Sequence, residues 1–285
     1  MNGEAGRHAL PVTRRHVDDA DQAQRSSERR VTPISARSPR SALATWARRM
    51  LLTVGVVVPL MAAVVGAEWV ITPSVADAQQ RVHAFAVSHH SADLDEPVPA
   101  KYAAALVATE DGRFYSHPGI DVPGVARRVV GVFRQGGGQG GSTLDQQLAG
   151  ILYGGSREVR NDIAAQVVLG VKLDATYSKA QILQMYAQVL YFGQGFYGLH
   201  DASCGYFNTP PRNLTWSQAS LLVALPEAPS NYDLDTDPQV AAQLQAHVLN
   251  RLVATGALTR TEAGQITPNS WQLATRATTG TSSGC

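Results

Sequence analysis

Two adjacent carboxylates, Glu110 and Asp111, lie where an apolar stretch gives way to a turn that contains His117. A carboxylate that borders apolar neighbours can act as a general base near neutral pH. The segment from Glu110 to Asp121 is therefore a candidate catalytic segment. The same residues would also serve as helix caps, with His117 satisfying a turn, so the segment alone leaves both interpretations open.

A second candidate segment follows a glycine-rich stretch at positions 136–141 and begins at Ser142. Free backbone N–H groups at the start of a helix, together with the positive end of its dipole, suit an anionic ligand. The amides of Gln146 and Gln147 could hydrogen-bond a sugar. No Gly-Lys-Ser/Thr follows, which excludes a Walker phosphate loop. The glycines would suit either a mobile flap over a cleft or an inert loop.

Helices must position these residues, because apolar residues recur at helical spacing from about residue 75 onward. Few segments alternate as strands do, and no internal repeat is visible, so the sequence predicts a mainly α fold. The predicted start signals are N-caps at Asp121, Ser142 and Ser178, and capping boxes at Thr215-x-x-Gln218 and Thr259-x-x-Glu262.

An uncharged run of 18 residues, 50–67, is close to the ~20 residues that cross a bilayer as a helix. Arg48 and Arg49 precede it and Trp69 follows it, which predicts a cytoplasmic N-terminus and an extracytoplasmic body. Small residues at 65–67 leave open a cleaved signal peptide. A leader of 49 residues is longer than an ordinary signal-peptide n-region, which favours an uncleaved anchor.

The net charge of +1 argues against a nucleic-acid binder, but the charge is unevenly distributed. Residues 1–49 hold ten Arg and five Asp or Glu, a balance of +5, which leaves −4 for the remainder. That pattern is typical of a membrane topology signal. The predicted organisation is a disordered cytoplasmic tail at 1–47, a transmembrane anchor at 48–71, one domain at 75–268 and a disordered tail at 269–285.

The two cysteines, Cys204 and Cys285, show neither metal-ligand spacing nor a disulfide framework. We interpret Cys204 as a buried thiol, because it lies in an apolar stretch. Cys285 follows a Thr/Ser/Gly segment and is interpreted as part of a frayed terminus.

In this order, behind a membrane anchor, the segments resemble the glycosyltransferase domain of penicillin-binding proteins and monofunctional peptidoglycan transglycosylases (glycosyltransferase family 51). Residues 110–119 match the first family motif, Glu-Asp-x-x-Phe-x-x-His-x-Gly, in full. Residues 140–148 match the second, Gly-Gly-Ser-Thr-x-Thr-Gln-Gln-Leu, except at Asp145. The resemblance runs from about residue 95 to 265, with further likeness at 177–183, 191–198, 206–207 and 219–229.

The resemblance implies a lysozyme-like helical fold beside the membrane and lipid II as the substrate. Glu110 would deprotonate the 4-hydroxyl of the acceptor sugar, whose oxygen attacks the anomeric carbon while polyprenyl pyrophosphate leaves. Asp111 would orient Glu110 or assist a divalent cation, Mg²⁺ or Mn²⁺. The implied partners are lipid II, the nascent glycan strand, the membrane and other cell-wall synthesis proteins. The implied substrate-binding residues are Phe114, His117, Ser142, Thr143, Gln146, Gln147 and Gln166.

The chain departs from the family pattern where the pyrophosphate would be held. Gly150 and Ile151 replace Lys-Asn, and residues 162–166 replace Arg-Lys-x-x-Glu, so a carboxylate has become Gln166. A hydrogen bond to a charged group contributes roughly 1.5–3 kcal/mol, and several are missing together. Nearby charged residues would either substitute or be solvated helix-face charges: Arg157, Glu158, Arg160 and Lys172.

Three functions remain open on these residues. The first is an active but divergent glycosyltransferase, and the second is a catalytically impaired homologue that binds lipid II, glycan or a cell-wall enzyme. The third is a glycan hydrolase, which would need two well-placed carboxyl groups. The sequence after the family resemblance is too short for a transpeptidase domain, so we predict no penicillin binding.

Overall fold

The computed structural model describes residues 39–126, 142–155, 162–227, 234, 238–274 and 285. Within these residues the regular structure is helical, which confirms the mainly α prediction. One isolated bridge joins extended backbone at Tyr191 and Tyr197. The α-helices are α1 Pro39–Ile71, α2 Ala78–Ser88, α3 Ala100–Glu110, α4 Leu144–Tyr153, α5 Ile163–Thr176, α6 Lys179–Val189, α7 Leu199–Phe207, α8 Trp216–Ala224, α9 Pro238–Ala254 and α10 Arg260–Gly264.

The helices begin where side chains can satisfy the free N–H groups of the first turn. Capping boxes open α6 at Ser178, α8 at Thr215 and α10 at Thr259, as the sequence predicted. The prediction for α4 was wrong by one residue, because Thr143 and not Ser142 is the N-cap. The Thr143 hydroxyl accepts from the backbone N–H of Gln146. This contact is part of a capping box between Thr143 and Gln146.

Helix α1 is long and apolar enough over Arg48–Ile71 to cross a membrane, by length and composition. Its large apolar side chains are exposed, from Met50 to Ile71. The helix begins at Pro39, nine residues before the predicted anchor, and residues 1–38 of the predicted tail lie outside the described part of the chain. The chain divides into two compact units, residues 1–60 and residues 61–285.

The second unit has one hydrophobic core, to which α2 to α9 all contribute buried side chains. Trp271 belongs to this core at 1% exposure, and its indole N–H donates to Gln245 Oε1 at 2.8 Å. The backbone N–H of Ala274 donates to Tyr206. The ordered structure therefore continues past residue 268, where the sequence predicted a disordered tail to begin.

A disulfide joins Cys204 of α7 to Cys285 across 81 positions of sequence. The interpretation of Cys204 as a buried thiol and Cys285 as a frayed terminus was therefore wrong. Two cysteines so far apart carry no spacing signal, and their proximity depends on the tertiary structure. Disulfides persist in oxidising compartments, so the bond agrees with an extracytoplasmic position for this unit.

Candidate active site

Three helices bring a chain of polar side chains to the carboxylate of Glu110. Helix α3 ends at Glu110, which is partly exposed. From α4, the Gln147 amide Nε2 donates to Glu110 Oε2 at 3.0 Å. From α6, the Tyr186 hydroxyl donates to Gln147 Oε1 at 2.7 Å. The two candidate segments of the sequence are thus joined directly by the contact between Gln147 and Glu110.

The neighbouring carboxylate, Asp111, is buried and ties the first segment to the second. It follows α3 as its C-cap and accepts from His117 Nε2 at 2.9 Å. It also accepts from the backbone N–H of Leu144 at 3.1 Å, in the first turn of α4. A carboxylate at a helix N-terminus is favoured by the helix dipole. Asp111 therefore orients the end of α3 and the start of α4, while its neighbour Glu110 remains partly exposed.

The start of α4 is held against the turn at Gly119. Thr143 Oγ1 donates to the Gly119 carbonyl at 2.9 Å, and Gln146 Nε2 reaches the same oxygen at 3.4 Å. Gly119 has φ +76°, and a Cβ atom there would lie 2.5 Å from the carbonyl oxygen of Gly170 in α5. A side chain is thus excluded both by the backbone conformation and by the close approach of α5.

Asp145, the departure from the second family motif, is fully buried beside Lys179. Burial raises the pKa of Asp145 from an ordinary value near 3.8 to about 6, although Lys179 partly offsets the shift. The Lys179 ammonium lies 3.3 Å from Asp145, 2.5 Å from Asp174 and 4.3 Å from the centre of the Phe114 ring. One cation therefore links α4, the end of α5 and the first motif.

Asp111, His117 and Asp145 have the composition of a metal-ligand set, and their ligand atoms lie within 4.8 Å of one another. Their contacts do not fit a resident divalent cation. His117 Nε2 is directed at Asp111, Asp111 also accepts from Leu144, and the Lys179 ammonium already neutralises Asp145. A divalent ion would have to displace these hydrogen bonds beside an existing positive charge.

The segment at 162–166, which replaces Arg-Lys-x-x-Glu of the family pattern, contributes Gln166. This residue is partly exposed on α5. A Cβ atom at Gly150 of α4 would lie 3.8 Å from the amide carbon of Gln166, so the two altered family positions are neighbours. Ile151 and Ile163, two further altered positions, are exposed at 37% and 77%. At these positions the chain therefore has Gly150, two isoleucines, the N-cap Asp162 and an amide, where the resemblance predicts cations and a carboxylate.

Lys172 is not available to replace those cations. Its ammonium donates to the carbonyl oxygens of Trp69 and Thr72 and to Thr72 Oγ1, each at 2.9 Å, and to the Pro73 carbonyl at 3.3 Å. It also lies 5.2 Å from the Trp69 ring centre. A cation at a helix C-terminus is favourable, so Lys172 acts as a clamp on the end of α1. Arg157, Glu158 and Arg160 lie outside the described residues.

The structure separates the predicted site residues by exposure. Glu110, Ser142, Gln147 and Gln166 are partly exposed and accessible to a ligand. The other predicted residues are buried: Asp111, Phe114, His117, Thr143 and Gln146.

The sequence analysis did not assign Tyr186 or Lys179 to the site. Tyr186 stands at helical spacing among apolar residues, where aromatic residues ordinarily belong to the core. A buried tyrosine hydroxyl usually has a hydrogen-bond partner, and that tendency was the signal that could have identified Tyr186. For Lys179 the signal was Asp145, because a buried carboxylate in an apolar segment requires a cation or hydrogen-bond donors.

A partly exposed carboxylate with amides beside it, on a helical scaffold, has the groups that sugar transfer requires. Residues 78–253, more than half of the chain, match the family model described as transglycosylase. The chain belongs to this family and so carries a glycosyltransferase domain.

Curated relatives include penicillin-binding protein 1A of Neisseria flavescens, 39% identical over 162 residues, which are 56% of this chain and 20% of that protein. Penicillin-binding protein 1A of Neisseria cinerea is 40% identical over 150 residues, 52% of this chain and 19% of the relative. Penicillin-binding protein 1F of Bacillus subtilis is 36% identical over 167 residues, 58% of this chain and 23% of the relative. The matched part spans about a fifth of these relatives.

Proposed function

We propose that the chain is a peptidoglycan glycosyltransferase that polymerises lipid II, with Glu110 as the general base. The observation that carries the proposal is the position of Glu110, which is partly exposed at the end of α3 and accepts a hydrogen bond from Gln147. A base that must reach a substrate hydroxyl needs both an accessible oxygen and a fixed direction. Membership in the transglycosylase family supports the reaction class.

In the proposed reaction, Glu110 takes the proton of the acceptor 4-hydroxyl. The oxygen then forms a bond to the anomeric carbon of the growing chain. The bond from that carbon to the diphosphate oxygen breaks, and polyprenyl pyrophosphate leaves with the electron pair. Ser142, Gln147 and Gln166 are the partly exposed polar residues that support sugar binding.

The leaving diphosphate requires positive charge that neither Lys172 nor Lys179 offers freely. Lys172 clamps α1, and Lys179 lies between Asp145 and Asp174. We therefore assign Mg²⁺ or Mn²⁺ to the diphosphate of the substrate and not to a protein cage. Arg157 and Arg160 are two further candidates in the sequence for direct contact with that diphosphate.

The proposed location is the cytoplasmic membrane, with the N-terminus inside, α1 as a single span and the domain outside. Arg48 and Arg49 before the span, and the disulfide of the domain, both support this orientation. In this position the domain has lipid II, the nascent glycan strand and other cell-wall synthesis proteins as its partners.

A second function is supported by the altered positions Gly150, Ile151, Asp162, Ile163 and Gln166. A chain without the expected cations and second carboxylate would bind lipid II or glycan without turnover and act on another cell-wall enzyme. The two functions differ in one measurable property, which is polymer formation.

The test incubates the detergent-solubilised full chain with fluorescent lipid II and Mg²⁺ or Mn²⁺ and resolves the glycan products. Polymer is expected from the wild type and is lost in Glu110→Gln. Glu262→Gln is the matched control, because Glu262 caps α10 and a glutamine preserves the capping box. Lipid II binding without polymer in the wild type would reject the transferase and support the binding homologue.

A further inference from the structure

We propose that Tyr186 is a positioning residue that acts on Glu110 through the amide of Gln147. The inference rests on the proposed function, since it assigns a role in directing the catalytic carboxylate. Its basis is the contact chain from the Tyr186 hydroxyl to Gln147 Oε1, and from Gln147 Nε2 to Glu110 Oε2.

The direction of each hydrogen bond follows from the chemistry of the three groups. An ionised carboxylate can only accept, so the Gln147 end that faces Glu110 must be the NH₂ group. The carbonyl oxygen of Gln147 then faces Tyr186, whose hydroxyl donates to it. A reversed amide would set its oxygen against the carboxylate oxygens of Glu110. The Tyr186 hydroxyl favours the productive orientation by supplying a donor at the other end.

Tyr186 remains a donor throughout the working pH range. Its ring is 4% exposed, and burial, followed by the nearby charge of Glu110, raises the pKa of Tyr186 well above its ordinary value. The phenol is therefore protonated at neutral pH. A hydroxyl that cannot lose its proton is suited to holding an amide in one orientation.

Tyr102 provides a matched control within the same region of the core. Its side chain is fully buried on α3, and Tyr186 and Glu110 both contribute to raising its pKa after burial itself. Its hydroxyl, however, has no hydrogen-bond partner among the described residues. Tyr102→Phe therefore removes a buried hydroxyl near the site without breaking the contact chain, whereas Tyr186→Phe removes the hydroxyl that holds Gln147.

The kinetic test measures kcat and KM for polymerisation by the full chain. Tyr186→Phe is expected to lower kcat about tenfold, equivalent to about 1.4 kcal/mol, with little change in KM. Tyr102→Phe should change neither constant. In a Gln147→Leu background, Tyr186→Phe should cause no further loss, because the residue through which it acts is gone. Equal losses in the two phenylalanine variants, or independent losses in the double variant, would overturn the proposal.

A second measurement does not depend on turnover. In protein labelled with ¹⁵N-glutamine, the side-chain amide signals of Gln147 are assigned by their loss in Gln147→Leu. They are expected to shift and to exchange faster with solvent in Tyr186→Phe, and to stay unchanged in Tyr102→Phe. Unchanged signals in Tyr186→Phe overturn the inference even if polymer forms. If the Gln147 signals respond as expected but the wild type forms no polymer, the proposed transferase function is rejected. The contact chain from Tyr186 to Glu110 then still stands.

Discussion

Gly150 and Gln166 face each other across the contact between α4 and α5. A Cβ atom added at Gly150 would lie 3.8 Å from the Gln166 amide carbon. That distance is an ordinary van der Waals contact, so a side chain can be added at Gly150 without displacing α5. The family resemblance predicts a lysine at this position. The structure therefore has room at Gly150 for the first atom of such a side chain.

Gly150→Lys should strengthen lipid II binding about tenfold, because a new ammonium beside the site contacts the diphosphate. Gly150→Ala is the control, since it adds a Cβ atom without charge. Both variants should raise the free energy of unfolding by about 0.5–1 kcal/mol through helix propensity. Binding of fluorescent lipid II to the full chain in detergent measures the first effect. Equal affinities in the two variants would contradict a diphosphate site at this position.

Asp145 predicts a specific pH dependence of stability. Its pKa is about 6 in the folded chain and near 3.8 when unfolded, so between these values the folded state binds more protons. The contribution of Asp145 to the free energy of unfolding therefore rises as pH falls from about 6 to 4, by about 2 kcal/mol. Asp145→Asn should abolish this component. The measurement is the difference in unfolding free energy between wild type and variant at pH 7 and pH 4, and a constant difference would refute it.

The unpaired hydroxyl of Tyr102 predicts a tolerant substitution. A buried polar group without a partner costs about 1–3 kcal/mol, so Tyr102→Phe should leave the free energy of unfolding unchanged or raise it by about 1 kcal/mol. Tyr206→Phe is the comparison, because the Tyr206 hydroxyl is buried and donates to the Phe192 carbonyl at 2.9 Å. That variant should be less stable by about 1 kcal/mol. Chemical unfolding of both variants gives the result, and a marked loss in Tyr102→Phe would mean that its hydroxyl is satisfied.

The disulfide predicts that the oxidised chain, once unfolded, contains no thiol that reacts with a maleimide. Closing a loop of this length stabilises the folded state by roughly 4 kcal/mol, so reductant should lower the Tm. Cys285→Ser should show the lowered Tm without reductant and no further change with it. Two reactive thiols in the oxidised wild type would show that the bond does not form.

The helices and the catalytic segment could be predicted from sequence because their signals are local. The capping boxes that start three of the helices lie within four residues of sequence, at Ser178, Thr215 and Thr259. The carboxylate pair at Glu110 and Asp111 lies at the end of an apolar run. The different exposure of the two carboxylates could not be predicted from the residues alone. Asp111 accepts from the backbone N–H of Leu144, and that contact exists only after α3 and α4 have packed.

Long-range partners were the residues that sequence reasoning missed. Tyr186 lies 39 positions from Gln147, and Lys179 lies 34 positions from Asp145. Helical periodicity places such residues on a buried face but does not identify their polar partners on the neighbouring helix. Lys172 shows the same limit, because its oxygen partners at the end of α1 are about 100 positions away.

Lys172, which binds the carbonyl oxygens at the end of α1, lies close to Gln166 on the same helix. Gln166 and Lys172 are six residues apart on α5, or about 9 Å along the helix. The helix that carries Gln166 is thus fastened, less than two turns further on, to the backbone at the end of the apolar helix.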